Sequence, residues 1–200
     1  MKKSMRDRVV GIVAKVGIVR PRDLAARGIP REYVQGLTRQ GELVRIGRGL
    51  YTLPDAPAST HRSFAEVSKT IPKAVICLVS ALRFHDLTIQ LPSEVWIALD
   101  QKARRPARAP CPIRIVHFSG RSLREGVEEH VIDGVPVRIY SAAKTVADCF
   151  KFRSKIGTDI TVEALRDYLT KHRAGGDALW RFAKICRVAN VMKPYLEAAG

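Results

Sequence analysis

Acidic residues around one apolar stretch suggest the first chemistry to consider, which is metal-dependent cleavage of phosphodiesters. Asp86 precedes the stretch, Glu94 opens it, and Asp100 ends it two residues before Lys102. Two carboxylates can hold Mg²⁺ while a lysine stabilises developing negative charge. The pattern Asp-x-Lys is also common at strand ends that face water. A nuclease that uses these four residues is therefore an alternative hypothesis.

Other signatures of catalysis and metal binding are missing from the sequence. It contains no GxxxxGK[ST] or GxGxxG phosphate loop, no HExxH and no CxxC pair, and the five histidines show no ligand spacing. The four cysteines are far apart and mostly among apolar neighbours, which favours reduced thiols in the core over a metal site or disulfides: Cys77, Cys111, Cys149 and Cys186. We predict a protein that is not an enzyme and has no cofactor or metal.

The chain carries a large positive charge that is unevenly distributed. It has 35 Lys and Arg residues against 19 Asp and Glu residues, a net charge of +16. Residues 1–58 hold +7 of this and residues 100–125 hold +5. A polyanion such as nucleic acid is therefore the first partner to consider. No apolar run approaches the roughly 18 residues of a membrane span, so we expect a cytoplasmic protein without a membrane partner.

The first 54 residues show three helical patterns followed by two short strands. A first helix is predicted before Gly17, a second between Pro21 and Gly28, and a third over residues 31–40. The strands flank Gly47-Arg48-Gly49, whose glycines suit the tip of a hairpin. Three helices and a hairpin in this order are the plan of a winged helix-turn-helix domain, which we assign to residues 1–54.

This plan assigns a DNA-contacting role to the outward side chains. Val34 and Leu37 would face the core, and the third helix would enter the major groove. Arg31, Gln35 and Arg39 are the candidate base readers. The hairpin arginines, and the start of the second helix with its free N–H groups, would contact phosphates. The full set of predicted DNA-binding residues is Arg22, Arg31, Gln35, Thr38, Arg39, Arg45 and Arg48.

Two other interpretations of this segment stay open. A small helical domain with a hairpin is also a common protein-interaction module, and outward arginines on a helix are usually a solvated face. A pure interaction scaffold would bind its partners without regard to DNA. The concentration of charge and the Gly-Arg-Gly tip favour DNA binding.

A Pro/Ala/Ser-rich linker at residues 54–60 separates this segment from a second predicted domain, residues 60–200. Its patterns predict strands first, including a hairpin around Asp133-Gly134, and helices from Ser141 onward. This order indicates a mixed α+β domain with C-terminal helices. The basic loop at residues 101–110 could clamp a nucleic-acid backbone, bind an acidic protein, or be a solvated loop that keeps edge strands apart.

Two sequence blocks resemble a known family. The first consists of Gly28-Ile-Pro-Arg-Glu-Tyr-Val34 and Gly41-Glu-Leu-Val-Arg-Ile-Gly-Arg-Gly-Leu-Tyr-Thr-Leu-Pro54. The second consists of Val79-Ser-Ala-Leu82 with His85, and residues 133–150, DGVPVRIYSAAKTVADCF. Both are similar to AbiEi-type antitoxins from the type IV toxin–antitoxin systems of bacterial abortive infection, which defend against phage. The resemblance runs from about residue 6 to residue 168, and the second block is the more specific.

The resemblance implies a transcriptional autorepressor that binds inverted repeats in the promoter of its own operon. It further implies that the C-terminal domain counters a nucleotidyltransferase-like toxin without requiring a stable complex. The DNA contacts carried over from the family fall on Arg31, Gln35, Arg39 and Arg48, as positions in the matching elements.

Four polar residues within the second block are the candidates for antitoxin activity: Ser80, His85, Lys144 and Asp148. Each also has a structural interpretation. Ser80 can cap a helix, His85 can be a hydrogen-bonded buried imidazole, and Lys144 with Asp148 is an i,i+4 pair on a helix.

Overall fold

The computed structural model describes residues 4–198, and its contacts divide them into two compact units. The first unit contains the described residues up to Pro72 together with residues 107–110 and 130–137, and the second contains the rest. The first unit thus extends beyond the predicted boundary at residues 54–60. One reason is an ion pair of 3.3 Å between Lys69 and Asp23.

The first unit begins with the three predicted helices and the hairpin. Ser4 caps the first helix, since its hydroxyl oxygen accepts a hydrogen bond from the Asp7 N–H at 3.1 Å. Backbone hydrogen bonds of 2.9 Å in both directions join Val19 to Tyr51 and add a short third strand segment to the hairpin. The elements are α1 (Met5–Val16), α2 (Pro21–Ala25), α3 (Arg31–Arg39), β1 (Val44–Gly47) and β2 (Leu50–Thr52).

Eight apolar side chains hold these elements together. They come from all three helices and from the segments between them, and each is almost completely buried: Val9, Val13, Val19, Leu24, Ile29, Val34, Leu37 and Leu43. Burying one such side chain stabilises the fold by about 1.5–3 kcal/mol. The predicted winged-helix order is confirmed, with Val34 and Leu37 on the inward face of α3.

The rest of the first unit consists of α4 (Arg62–Thr70), the connecting segments and a hairpin turn at Asp133 and Gly134. Both turn residues have positive φ angles, 47° and 74°, as a type I′ turn requires. The Asp133 carboxylate accepts a hydrogen bond from the Ser59 N–H at 3.1 Å and lies 3.4 Å from Arg62 Nε. The turn also packs so closely on Gly17 that a Cβ there would lie 1.6 Å from Asp133 O.

The second unit is built on a mixed five-stranded sheet with the strand order β5-β4-β3-β7-β6. β3 pairs antiparallel with β4 and parallel with β7, and β4 pairs parallel with β5. The tip of the β6–β7 hairpin, residues 130–137, belongs to the first unit. The strands are β3 (Val75–Ile76), β4 (Val95–Asp100), β5 (Ile113–Phe118), β6 (Val127–Ile132) and β7 (Val135–Tyr140).

Helices complete the second unit, and α7 occupies its core. Every α7 residue from Ala143 to Phe150 is buried. The structure confirms the predicted α+β class with C-terminal helices. The helices are α5 (Leu78–Phe84), α6 (Gly120–Arg124), α7 (Ala142–Lys151), α8 (Arg153–Ile156), α9 (Thr158–Lys171), α10 (Gly176–Ile185) and α11 (Ala189–Glu197). Within residues 4–198, no helix has the length and apolar character needed to cross a bilayer.

Glycine at position 17 is required by both its backbone angle and its surroundings. We expect Gly17→Ala to lower the free energy of unfolding by more than about 3 kcal/mol, because its φ of +67° is strained for alanine and the new Cβ would meet Asp133 O. Gly28→Ala is the matched control, since Gly28 has a φ of +75° and nothing within 4 Å of its added Cβ; it should cost only about 1 kcal/mol. Urea unfolding measures both losses, and equal losses would contradict the close packing.

Candidate nucleic-acid interface

The outward face of α3 presents three polar side chains in one row. Arg31, Gln35 and Arg39 are all exposed, and their spacing of four residues places them along one stripe of the helix. The buried Val34 and Leu37 lie on the other side. Two guanidinium groups and a carboxamide are thus aligned along the helix, and these groups form bidentate hydrogen bonds with the major-groove edges of guanine and adenine.

A cavity of about 350 Å³ lies between α3 and the hairpin. It brings together four of the predicted DNA-binding residues and one that the sequence analysis missed, Tyr51: its lining is Gln35, Thr38, Arg39, Arg45 and Tyr51. Tyr51 is the cross-strand partner of Arg45 in the β1–β2 pair. Because cross-strand partners share a face of the sheet, the register of the predicted hairpin could have identified it.

Thr38 differs from the other predicted residues of α3 because its hydroxyl is engaged. Its Oγ1–H donates to the carbonyl oxygen of Val34 at 2.8 Å, so the oxygen can accept a hydrogen bond from a ligand while its proton stays with the helix. The hairpin arginines are exposed. Arg45 Nε donates to Gly47 O at 3.1 Å, which holds this guanidinium near the tip that carries Arg48.

Arg22 lies exposed on α2, outside this cavity. The start of α2 already holds an anion, the carboxylate of Asp23, which accepts the Arg20 N–H at 3.1 Å and pairs with Arg20 and Lys69. Burial raises the pKa of Asp23, but the hydrogen bonds from Arg20 and the charge of Lys69 outweigh it and lower the pKa below its usual value. At the start of α2, the Arg22 side chain is therefore the group that remains to contact a phosphate.

The four antitoxin-activity candidates lie in the second unit. Ser80 is fully buried, and its Oγ accepts a hydrogen bond from the Trp96 N–H at 2.9 Å. His85 Nε2 lies 2.8 Å from the carbonyl oxygen of Tyr140, so the tautomer with a proton on Nε2 donates to it. These contacts hold β4 and β7 against α5.

Lys144 and Asp148 form an ion pair inside the core, with both side chains 0% exposed. The ammonium group also lies over the Tyr140 ring, 4.1 Å from its centre. Asp148 Oδ1 accepts a hydrogen bond from the Cys186 thiol at 3.2 Å. Burial raises the pKa of Asp148 although the Lys144 charge opposes this. Neither side chain reaches the surface, which favours the interpretation of Lys144 and Asp148 as a structural ion pair.

Three of the four cysteines are buried thiols, as predicted for core residues: Cys77, Cys149 and Cys186. Burial raises the pKa of Cys186 to about 12 and raises the pKa values of the other two well above the ordinary value. Because the thiolate is the reactive form of cysteine, these three side chains are poor nucleophiles.

Two carboxylates of the nuclease alternative, Glu94 and Asp100, lie at opposite ends of one strand. Glu94 precedes β4 and Asp100 ends it, so about 20 Å of extended chain separates their Cα atoms. Glu94 pairs with Arg114 at 2.8 Å, and Asp100 accepts the Lys102 N–H at 2.8 Å. Across the described part of the chain, no three His, Cys, Asp or Glu side chains are grouped so that they could hold a metal.

One comparison with known proteins identifies the N-terminal segment. Residues 12–54 match a family model described as "Transcriptional regulator, AbiEi antitoxin". The match covers 43 of the 200 residues, from within α1 to the end of the hairpin. It confirms the resemblance of the first block, whereas the resemblance of residues 133–150 stays a prediction. A search of curated proteins found no match to the chain.

The buried pair leads to a prediction about stability. Lys144→Met should lower the free energy of unfolding by about 3–5 kcal/mol, because it leaves the Asp148 carboxylate buried without its cation. The double variant Lys144→Met/Asp148→Asn should recover most of this loss, since it buries no charge. Urea unfolding at neutral pH measures the double variant and both single variants, Lys144→Met and Asp148→Asn. A double variant as unstable as the sum of its single changes would show that the two side chains act independently.

Proposed function

We propose that this protein, whose residues 12–54 match AbiEi antitoxin transcriptional regulators, is a DNA-binding repressor of its own operon and the antitoxin of a type IV toxin–antitoxin system. The observation that supports DNA binding is the exposed row of Arg31, Gln35 and Arg39 beside the α3–hairpin cavity. This row lies within the matched segment. The antitoxin activity is supported by the family description and by the second sequence block.

In the proposed complex, α3 lies in the major groove and its outward row contacts base edges. A good bidentate contact from one of these side chains is worth about 1–3 kcal/mol of discrimination between bases. Arg45 and Arg48 contact the phosphate backbone near the hairpin, and Arg22 contacts it from α2. These three contacts set the position of α3 without reading sequence.

The proposed operator is promoter DNA with inverted repeats, so two copies of the protein bind one operator. The proposed second partner is a nucleotidyltransferase-like toxin, which the C-terminal domain counters without a stable complex. Ser80, Lys144 and Asp148 are fully buried, so we propose that they support this activity through the fold of the second unit. Direct contacts with the toxin would then be made by exposed residues. The most basic exposed segment is the loop at residues 101–110.

The DNA-binding proposal is tested by fluorescence anisotropy on the upstream DNA of the protein's own gene and on a scrambled duplex. Arg39→Ala should abolish the preference for the upstream DNA, because Arg39 is proposed to contact bases. Arg48→Ala should weaken binding to both duplexes and reduce the salt slope by about one, because it removes one phosphate contact.

The matched control is Arg173→Ala, which removes an exposed arginine between α9 and α10 and should leave both isotherms unchanged. Equal weak binding of the unmodified protein to the two duplexes would refute the repressor proposal. That result would favour the scaffold interpretation, in which the partner is a protein.

The two halves of the proposal can be separated in cells that express the toxin from an independent promoter. Arg39→Ala should lose repression of a reporter under the operon promoter and still restore growth, because the change lies in the first unit on an exposed side chain. If the same variant also lost growth rescue at equal protein level, neutralisation would depend on DNA binding.

A further inference from the structure

The first unit contains a second and larger cavity, of about 990 Å³, away from the row of base readers. It is lined by α1, by the segment that follows α3, by the segment that follows β2, and by the Asp133–Gly134 turn. All of these residues belong to the first unit. A volume of this size is at the upper end of the range of small-molecule sites.

The walls of this cavity are mainly apolar, with a few charged groups. Val10, Val13 and Ala14 of α1 form one side, and the residues of the Leu53–Ala58 segment form much of another. An apolar enclosure with a small number of polar groups is the usual composition of a site for an organic ligand.

The charged residues of the lining have the opposite sign to the protein as a whole. Three of the four are acidic, namely Glu42, Asp55 and Asp133, and Arg62 is basic. Arg62 lies against the Asp133 carboxylate, and Glu42 accepts a hydrogen bond from Arg6 at 2.9 Å. Asp55 is exposed and contributes a negative charge at the cavity. Since two of the three carboxylates are paired with arginines, Asp55 supplies the unbalanced charge of this lining, which is negative in a chain of net charge +16 and favours a cation.

We propose that this cavity binds an apolar organic cation. The apolar walls would hold the body of the ligand through burial of its surface, and the carboxylate of Asp55 would interact with its charge. The proposal does not rest on DNA binding, since it uses none of the predicted base readers.

The position of the cavity gives such a ligand access to the proposed DNA-binding elements. Its lining includes residues 40–42, which directly follow α3, and Thr52 and Leu53 at the end of the hairpin. If the bound ligand favours one arrangement of these segments, it changes DNA affinity, and DNA changes ligand affinity by the same factor. An effector role of this kind, unlike ligand binding itself, rests on the proposed DNA binding.

Two probes of nearly equal size and shape and opposite charge test the proposal, tetraphenylphosphonium and tetraphenylborate. Equilibrium dialysis against the full chain, without DNA, should show saturable one-to-one binding of tetraphenylphosphonium. In a separate dialysis, since the two ions precipitate together, tetraphenylborate should bind more weakly, although the net charge of the protein attracts anions. Binding of the borate as tight as or tighter than that of the phosphonium would overturn the proposal.

Two variants test whether the phosphonium occupies this cavity. Ala14→Phe places a ring from α1 into the cavity and should weaken binding at least about tenfold, a change of 1.4 kcal/mol. Asp55→Asn removes one exposed charge and should weaken binding by about two- to fivefold. Ala14 and Asp55 are both exposed, so both variants should keep the thermal unfolding midpoint of the unmodified protein.

The matched controls are Ala178→Phe, at an exposed alanine of α10, and Asp177→Asn, at an exposed aspartate of the same helix. Both should leave the dialysis isotherm unchanged. An unchanged isotherm for Ala14→Phe, or an equal loss in the Ala178→Phe control, would show that the probe binds elsewhere and would overturn the assignment.

Discussion

The burial of Val34 and Leu37 sets the rotation of α3 about its axis, and the whole proposed DNA-binding surface depends on this rotation. α3 is short, and these are its two fully buried residues. With 3.6 residues per turn, two inward residues three positions apart determine which side chains face outward. The cavity beside the hairpin exists for the same reason, since β1 and β2 flank a helix whose orientation the core has set.

Local sequence patterns were sufficient to predict the N-terminal elements and the outward position of Arg31, Gln35 and Arg39 on α3, because both follow from helical spacing and from glycine stops such as Gly17 and Gly41. Sequence patterns were insufficient where the same pattern is compatible with two different local structures. The apolar run at residues 74–79 has the composition of a buried strand, but only Val75–Ile76 is strand and α5 starts at Leu78. Threonine is a common helix-capping residue, but Thr161 is buried inside α9 because that helix begins at Thr158, after Gly157.

The polar residues of the second unit show a different limit of sequence reasoning. An i,i+4 pair such as Lys144 and Asp148 has the same spacing on a helix surface and inside a core. The apolar residues of α7, such as Ala143, Val146 and Phe150, lie on one side of the helix, as in an amphipathic helix at a protein surface, so the sequence pattern gave no sign that Lys144 and Asp148 are buried. Contacts between segments distant in sequence, such as the Asp133 turn on Gly17, had no local signal at all.

The first unit is discontinuous along the chain, and this has a consequence for its synthesis on the ribosome. Its eight-residue apolar cluster is complete once Leu43 has emerged, so the winged helix can begin to fold early. The Asp133 turn, however, is translated only after β3, β4, β5 and β6. Until then, the surface around Gly17 and Arg62 is uncovered. We expect the nascent chain to pass through a stage in which α3 is formed while the rest of the first unit is incomplete.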